Sequence, residues 1–159
     1  MPAYQSFTLN EAIKRMERYC AYQERCHKEV RDKLQQMRMI PEAVDHILAH
    51  LIQNDFLNEQ RFANSFVNGK FSIKKWGRNR ILNELKRRDI SPYIITNALK
   101  AIEQDEYLIV FNTLAQKKWQ QLTDSDLQKK KRKLANYLSY RGWENGLVFP
   151  KIEELAKRS

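Results

Sequence analysis

Long apolar segments and cysteine are both scarce in this sequence. No apolar run approaches the roughly 18 residues of a membrane-spanning helix, and no apolar stretch behind the start resembles a signal peptide. We therefore expect a soluble, cytoplasmic protein that does not enter a membrane. The two cysteines, Cys20 and Cys26, are six residues apart on a helical pattern. Because that spacing does not stack them on one helix face, we expect two reduced thiols.

Catalytic and metal-binding motifs are also missing. No nucleophile lies at a recognisable spacing from a base, and the chain has no phosphate-binding loop and no cluster of metal ligands. His46 and His50 are four residues apart and share a helix face, which would supply half of a zinc site, but a structural zinc ion needs four ligands. Two surface histidines are the simpler interpretation. The sequence therefore predicts a protein that is not an enzyme and holds no metal or cofactor.

Acidic side chains become scarce toward the end of the chain. Residues 1–57 carry 8 basic and 8 acidic side chains, residues 58–108 carry 10 and 6, and residues 109–159 carry 11 and 5, for a net charge of +10. Unpaired like charge costs stability, so this gradient indicates an anionic partner for the second and third segments. With 30% charged residues and a mean hydropathy of −0.72, the chain has little apolar material for one deep core, and several small cores in series fit better.

Apolar positions recur along the chain at a nearly fixed period. A shift of 51 places one set of six on a second set: Val30, Leu34, Met39, Val44, Leu48 and Leu51 on Ile81, Leu85, Ile90, Ile95, Leu99 and Ile102. A further shift of 53 places the second set on Leu134, Leu138, Trp143, Val148, Ile152 and Leu155. The sequence therefore predicts an all-α fold of three tandem three-helix repeats, at residues 1–57, 58–108 and 109–159, stacked into an elongated, curved array.

Short motifs predict where the helices begin and end. Helix starts are expected at four places: Thr8 with Glu11, Pro41, Asn58, and Ser91 with Pro92. Thr123 to Asp126 resembles a second capping box, and Gly142 supplies a left-handed helix stop. The weak helix signal of residues 68–77 predicts a turn there, and Pro150 predicts a last helix that is short or starts late.

Two basic segments lie on predicted helices. In residues 74–90 an apolar side made of Ile81, Leu82 and Leu85 is opposed by a cationic side. In the second segment, Lys129, Arg132 and Lys133 face away from the leucines that follow. Lys130 and Lys131 face toward these leucines and must either extend their ammonium groups to solvent or contact a ligand. An ordinary solvated helix face would explain either segment taken alone.

Three motifs then follow one another in an order found in a known family. The second repeat opens with Arg61, Phe62 and Ala63, and Phe66 and Val67 follow. A turn leads into a helix through Lys75, Trp76, Gly77, Arg80, Ile81, Glu84 and Leu85. The third repeat carries Lys133, Leu134, Tyr137, Leu138, Arg141, Gly142 and Trp143. Through these motifs the chain resembles, over nearly its whole length, the RecX family of regulators of the bacterial RecA recombinase.

The chain departs from the family pattern at three glycine positions. Arg38 and Asp89 stand where the family usually has the glycine that ends a helix, and Lys75 replaces the first glycine of the turn. Helices there must end without the residue that most easily adopts a left-handed backbone. These departures affect local loop geometry and remove no catalytic group, because the family is not known for one.

The resemblance implies binding and modulation. RecX proteins lie in the groove of the RecA–DNA filament and damp ATP hydrolysis and strand exchange, so we expect a mainly negative modulator of RecA, acting as a monomer. Because the basic side chains are spread over two repeats, we also expect weak, nonspecific binding to single- and double-stranded DNA. Trp76 is either a contact residue or a hinge aromatic packed between helices. The residues expected to contact the filament or nucleic acid are Lys74, Lys75, Trp76, Arg78, Arg80, Lys86, Arg87, Arg88, Lys129, Lys130, Lys131, Arg132 and Lys133.

Two other functions compete with this one. An independent DNA-binding module of the helix-turn-helix kind would place Arg80, Asn83 and Arg87, which share one side of the basic helix, against base edges. An inert scaffold like the tetratricopeptide repeats is the other alternative, and the charge gradient argues against it.

Overall fold

The computed structural model describes residues 6–159, and over that range the chain forms nine α-helices and no strand. They are α1 (Leu9–Tyr22), α2 (His27–Gln36), α3 (Pro41–Gln53), α4 (Glu59–Ser72), α5 (Arg78–Arg87), α6 (Pro92–Leu99), α7 (Gln104–Gln121), α8 (Leu127–Tyr140) and α9 (Asn145–Lys157). None of these helices is long and apolar enough to cross a membrane. The first five residues of the predicted repeat at 1–57 lie outside the described part. The repeat boundaries at 57 and 108 stay a prediction, and α7 begins a few residues before the second of them.

The predicted helix starts at Thr8, Asn58 and Ser91 are confirmed. The Thr8 hydroxyl accepts a hydrogen bond from the Glu11 amide (3.1 Å), and the Glu11 carboxylate accepts one from the Thr8 amide (3.1 Å). The Asn58 and Ser91 side chains accept hydrogen bonds from amides in the first turns of α4 and α6. Each such cap stabilises its helix by about 1 kcal/mol.

The second helix of each triplet ends in the same way. The residues after α2, α5 and α8 include Arg38 (φ 62°), Asp89 (φ 58°) and Gly142 (φ 95°), all left-handed and spaced as the repeats are. The next amide bonds back to the carbonyl of Leu34 (3.1 Å), Leu85 (3.2 Å) or Leu138 (3.1 Å), which is the Schellman pattern. Arg38, Asp89 and also Lys75 (φ 59°) therefore adopt the left-handed conformation without being glycine, at a cost of roughly 1–2 kcal/mol each.

The described side chains form two hydrophobic cores. One belongs to α1, α2 and α3 and is closed by Leu57. The other runs without a break through α4 to α9 and also takes in Cys26 from the first triplet. The accessible surface of 10156 Å² exceeds the roughly 8,400 Å² of a compact monomer of 19.1 kDa. The chain thus has more than one core, as expected, but it has two and not one for each repeat, because the second and third triplets share a core.

The two cores meet at a narrow seam. Cys26 is fully buried there, and Arg61 donates from Nε to the Glu24 carboxylate (2.6 Å) and from a terminal nitrogen to the Asp55 carboxylate (3.1 Å). The amide of His27 donates to the Glu59 carboxylate (3.1 Å). Arg61 of the Arg-Phe-Ala motif thus joins the first triplet to the second.

Two of the predicted local boundaries are wrong. Helix α4 continues through Gly69 to Ser72, so a turn occupies only the end of the range 68–77. A glycine lowers helix stability by about 1 kcal/mol relative to alanine, and the buried side chains of Val67 and Phe71 on either side hold the helix against the core. Helix α8 is capped by Asp126, whose carboxylate accepts from the amides of Gln128 (3.0 Å) and Lys129 (3.4 Å). The capping box expected at Thr123 does not form.

The prediction for the last helix is also wrong. Helix α9 runs from Asn145 to Lys157 with Pro150 inside it. The amide that Pro150 lacks would have bonded to the carbonyl of Gly146. Pro150 and Gly146 are both exposed, so water can take that place, while Val148, Ile152 and Leu155 remain buried against the core.

Candidate binding surface at the α5–α8 junction

The start of α5 is docked on the end of α8. The amide of Gly77 donates to the carbonyl of Arg141 (2.8 Å), and the amide of Asn79 donates to the carbonyl of Gly142 (3.0 Å). The first amides and the last carbonyls of a helix have no partner within it, and they carry opposite partial charges. The two helix ends therefore satisfy each other and form a rigid joint.

The joint requires glycine on both sides. A Cβ atom on Gly77 would lie 2.5 Å from the carbonyl oxygen of Gly142, and one on Gly142 would lie 2.4 Å from the backbone nitrogen of Arg80. Trp143, next to it, is 1% exposed and donates from its indole nitrogen to the carbonyl of Lys75 (3.2 Å). The Trp-Gly turn and the Arg-Gly-Trp motif, far apart in the chain, thus form one structural unit.

Arg80 lies inside this unit and is not a free surface cation. Its guanidinium is 4.0 Å from the ring centroid of Trp76 and 4.7 Å from that of Tyr140, and it contacts the Tyr140 carbonyl at 3.5 Å. Trp76 packs edge-on against Phe66, with 6.4 Å between ring centroids. Arg80, which was expected to contact a partner, therefore has contacts within the protein itself. Of the two interpretations of Trp76, these contacts favour the hinge aromatic.

Arg78 is held in the same joint. Its guanidinium lies 3.8 Å from the centroid of Tyr107, donates to the side chain of Gln104 (3.0 Å) and is 4.0 Å from the Glu144 carboxylate. The Tyr107 hydroxyl accepts from the Arg78 amide (2.9 Å) and donates to Glu144. Burial raises the pKa of Tyr107, and the hydrogen bond to Glu144 is the next largest cause of the rise. The hydroxyl therefore keeps its proton and can act as a donor. Arg78 thus positions the start of α5.

Other predicted cations of the second triplet are more accessible. Lys74, Lys75, Lys86 and Arg87 are exposed, and the ammonium group of Lys75 donates to the carbonyl of Ser72 (2.7 Å). Arg87 contacts one Glu84 oxygen (3.2 Å). Arg88 is half-buried, contacts the other carboxylate oxygen of Glu84 (3.1 Å) and also lies over the ring of Phe66. Exposed ion pairs of this kind stabilise a protein by well under about 1 kcal/mol, so the exposed cations can exchange their partners.

The basic run on α8 divides as its periodicity predicts. Lys129, Arg132 and Lys133 are exposed, whereas Lys130 and Lys131 are half-buried. Lys130 lies 4.1 Å from the Trp119 centroid, and Lys131 pairs with Glu153 at 3.2 Å. Lys133 pairs with Asp124 (2.9 Å) and lowers the pKa of that carboxyl. Among the residues 6–159, Lys129 and Arg132 have no ion-pair partner.

The two basic helices meet at a tyrosine that sequence analysis missed. A depression of about 280 Å³ at the joint is lined by seven side chains and one glycine: Asn79, Arg80, Asn83, Glu84, Arg87, Ser139, Tyr140 and Gly142. A neighbouring shallow surface is lined by Lys118, Leu122, Lys133, Asn136, Tyr137 and again Ser139 and Tyr140. Tyr140 is 75% exposed and belongs to both. Tyr140 lies seven residues, or two helical turns, after Lys133. This spacing could have shown from the sequence that the two side chains share one face of α8.

The first triplet has a cationic surface that its zero net charge conceals. Lys14, Arg15 and Arg18 of α1 line a depression together with Phe7 and Glu11. The guanidinium of Arg15 lies 5.0 Å from the Phe7 centroid. The spacing of four between Lys14 and Arg18 marks them as one helix face, which the charge count by segment overlooks.

The remaining candidate side chains are the histidine pair and the two cysteines. His50 contacts the Glu17 carboxylate (2.9 Å) and Asn54, and no group of three or more possible metal ligands occurs among the described residues. Both cysteines are free thiols. Burial raises the pKa of Cys20 to about 11 and that of Cys26 to about 12, so both remain protonated at neutral pH.

The comparisons with known proteins point to one family. Residues 58–99 match the family model described as RecX, second three-helix domain, and residues 105–150 match that of the third three-helix domain. The regulatory protein RecX of Oceanobacillus iheyensis is 26% identical over 151 residues, which are 95% of this chain and 56% of that protein. The regulatory protein RecX of Clostridium botulinum (strain Alaska E43 / Type E3) is 31% identical over 145 residues, 90% of this chain and 66% of that protein.

Solved structures agree with the fold. The crystal structure of RecX from Lactobacillus salivarius superposes with a TM-score of 0.78 at 24% identity, covering 92% of this chain and 96% of that one. A crystal structure of regulatory protein RecX gives a TM-score of 0.80 at 21% identity, and the match covers 95% of this chain and 73% of that one. The predicted all-α fold of three-helix repeats is confirmed. The chain spans 56 to 66% of the length of the two curated relatives described above.

Proposed function

The chain belongs to the RecX family, and from this premise we propose that it is a mainly negative modulator of a RecA recombinase. It binds in the groove of the RecA–DNA filament and damps ATP hydrolysis and strand exchange. It acts in the cytoplasm as a monomer, without a cofactor and without catalysis of its own.

The observation that carries the proposal is a surplus of exposed, unpaired cations around a rigid joint. Within the described range, Lys74, Lys86, Lys129 and Arg132 are exposed and have no ion-pair partner. Such charges are repelled by one another and are relieved by an acidic groove or by phosphates. The shared core of the second and third triplets and the α5–α8 joint support a body that keeps these charges at fixed separations. A rigid body of this kind suits a partner with a regular repeat.

The helix-turn-helix alternative has less support. Recognition helices of that class present their N-terminal residues to base edges in the major groove. Here the N-terminus of α5 is covered by the C-terminus of α8, and Arg80 is held between two aromatic rings. Only Asn83 and Arg87 of the three expected base readers remain exposed.

The test is inhibition of DNA-dependent ATP hydrolysis by the cognate recombinase. The double variant Lys86→Gln, Arg87→Gln removes two exposed charges and should fold normally, whereas the joint residue Arg80 is unsuitable for this purpose. We expect the inhibition constant to rise by about fivefold if the contact is an exposed rim and by more than about a hundredfold if both groups are desolvated. The matched control is Lys28→Gln, Arg31→Gln, which removes the same charge from the first triplet.

Two results would count against the proposal. Absence of inhibition by the wild-type protein at filament stoichiometry would refute modulation of the recombinase. An equal loss in the control pair would show that total charge matters and that the surface of the second and third triplets does not. A loss confined to the Lys86, Arg87 pair supports docking through α5.

A further inference from the structure

Tyr140 is an exposed aromatic ring held in place by the joint. Its side chain is 75% exposed at the end of α8. The guanidinium of Arg80 lies between it and Trp76, 4.7 Å and 4.0 Å from the two ring centroids. Tyr22 and Tyr93 are similarly exposed, so the feature that marks Tyr140 is the guanidinium stacked on its ring. A ring kept open to solvent and fixed by a stacked arginine has already lost its conformational freedom before any ligand binds.

Exposed polar side chains lead away from Tyr140 in both directions. On α8 the exposed face carries Lys129, Arg132, Lys133 and Asn136, and on α5 it carries Asn83 and Arg87. The depressions on the two helices share Ser139 and Tyr140, so the surface is continuous across the joint. We call these residues with Arg80 and Tyr140 the α8–α5 ridge. At 1.5 Å per residue it spans roughly 16 Å of α8 and roughly 10 Å of α5.

We propose that the α8–α5 ridge binds single-stranded nucleic acid, with Tyr140 stacking on an unpaired base. Lys129, Lys133 and Arg87 contact phosphates on either side of that base. The face of an aromatic ring is matched by the face of a nucleobase, and cations in series are matched by a phosphate backbone. In a duplex the base faces are covered by their neighbours, so duplex DNA can use the cations but not the ring. The inference rests on the function proposed above and identifies the anion on this surface as a single strand.

The ion pairs on the ridge are compatible with this role. Lys133 contacts Asp124 (2.9 Å) and Arg87 contacts Glu84 (3.2 Å), but the lysine is partly exposed and the arginine is largely exposed. Pairs of this kind contribute little to stability and are weakened by salt. A phosphate can therefore take the place of either carboxylate without a large loss of folding stability.

The test measures binding of the protein alone to a labelled oligothymidylate and to a duplex, by fluorescence anisotropy at several salt concentrations. Tyr140→Leu removes the ring, Tyr140→Phe keeps it, and Tyr93→Leu is the matched control, because Tyr93 is 76% exposed on α6 and lines neither depression of the ridge. We expect Tyr140→Leu to weaken single-strand binding roughly 5- to 150-fold. Tyr140→Phe and Tyr93→Leu should bind as the wild type does.

Salt and duplex measurements separate stacking from charge. Tyr140→Leu removes no charge, so it should leave the salt dependence unchanged and alter duplex binding by less than about threefold. Lys129→Gln should instead lower the slope of log affinity against log salt by about 0.7 for the single strand. Circular dichroism should show native helix content in every variant.

Several outcomes would overturn the inference. Wild-type single-strand affinity in folded Tyr140→Leu would do so, as would equal losses for single strand and duplex. If the wild-type protein inhibits the recombinase but binds no oligothymidylate at low salt, the ridge faces an acidic protein surface; the inference then fails while the proposed function stands. If the protein binds a single strand through the Tyr140 ring but does not inhibit the recombinase, the inference stands and the proposed function fails.

Discussion

The four glycines of the chain divide into two pairs that should respond in opposite ways to alanine. Gly77 and Gly142 form the α5–α8 joint, whereas Gly69 and Gly146 have no atom within 4 Å of an added Cβ. At Gly77 the new methyl group would lie 2.5 Å from the Gly142 oxygen and 2.7 Å from the Trp143 Cα atom. Both are backbone atoms and neither can rotate away, so α5 must move off α8.

The cost of Gly77→Ala can be estimated from what that movement breaks. Two backbone hydrogen bonds close the joint, Gly77 to Arg141 and Asn79 to Gly142, and each contributes about 0.5–1.5 kcal/mol. Overpacking of a close contact adds about 1–3 kcal/mol, so we expect the free energy of unfolding to fall by roughly 2–6 kcal/mol. Gly142→Ala should cost about 1–2 kcal/mol more, because its φ of 95° is left-handed.

The control glycine should behave differently. Gly69 lies in the last turn of α4 with open space beside it, so Gly69→Ala should raise the free energy of unfolding by up to about 0.5–1 kcal/mol through helix propensity. Urea denaturation followed by far-UV circular dichroism measures all the variants, and unchanged slopes would confirm a common unfolding transition. If Gly77→Ala lies within about 1 kcal/mol of the wild type, the two helix ends are not in contact as described.

Two further variants test the cores and the helix ends. Leu85→Ala should cost roughly 2–5 kcal/mol and loosen α4 to α9 together while α1 to α3 stay folded, because the core is shared among the former. Iodoacetamide should then label Cys26, in the shared core, before Cys20, in the first; equal rates would mean that one cooperative unit includes all three triplets. Asp89→Gly should raise the free energy of unfolding by about 0.5–1 kcal/mol, since glycine adopts the left-handed backbone of Asp89 (φ 58°) without a Cβ clash. A destabilised Asp89→Gly protein in urea would show that the Asp89 side chain contributes more than its backbone conformation costs.

Local features could be predicted from the sequence because their partners are close in the chain. The cap of Thr8 on Glu11 involves residues three positions apart, and the direction of Lys129 against Lys130 follows from helix periodicity alone. The repeat of the apolar positions predicted which side chains are buried, and Ile81, Leu85 and Ile95 are all 0 to 1% exposed. The start of α8 was predicted wrongly at Thr123, because Thr123 and Asp126 both suit an N-cap and only the actual path of the chain selects Asp126.

Other predictions were wrong because distant contacts outweighed the local preference. Pro150 normally interrupts a helix, yet α9 continues because its apolar side chains pack on the shared core. Arg80 lies on the polar side of α5, and only the fold shows that α8 places Tyr140 next to it. Nothing in the sequence of α5 indicates that part of its polar face is covered by α8, which lies some 50 residues further along the chain.

The helices, the threefold repeat and the surplus of positive charge could be read from the sequence, because each follows from residue type and spacing along one segment. Tertiary contacts were needed to show that the second and third triplets share a core without the first, and which cations are available to a partner. Both depend on the docking of α5 on α8, where Gly77 and Gly142 allow two backbones to approach within hydrogen-bonding distance. That approach is a property of two segments together, since unpaired amides at one helix start and unpaired carbonyls at another helix end are stable only in contact.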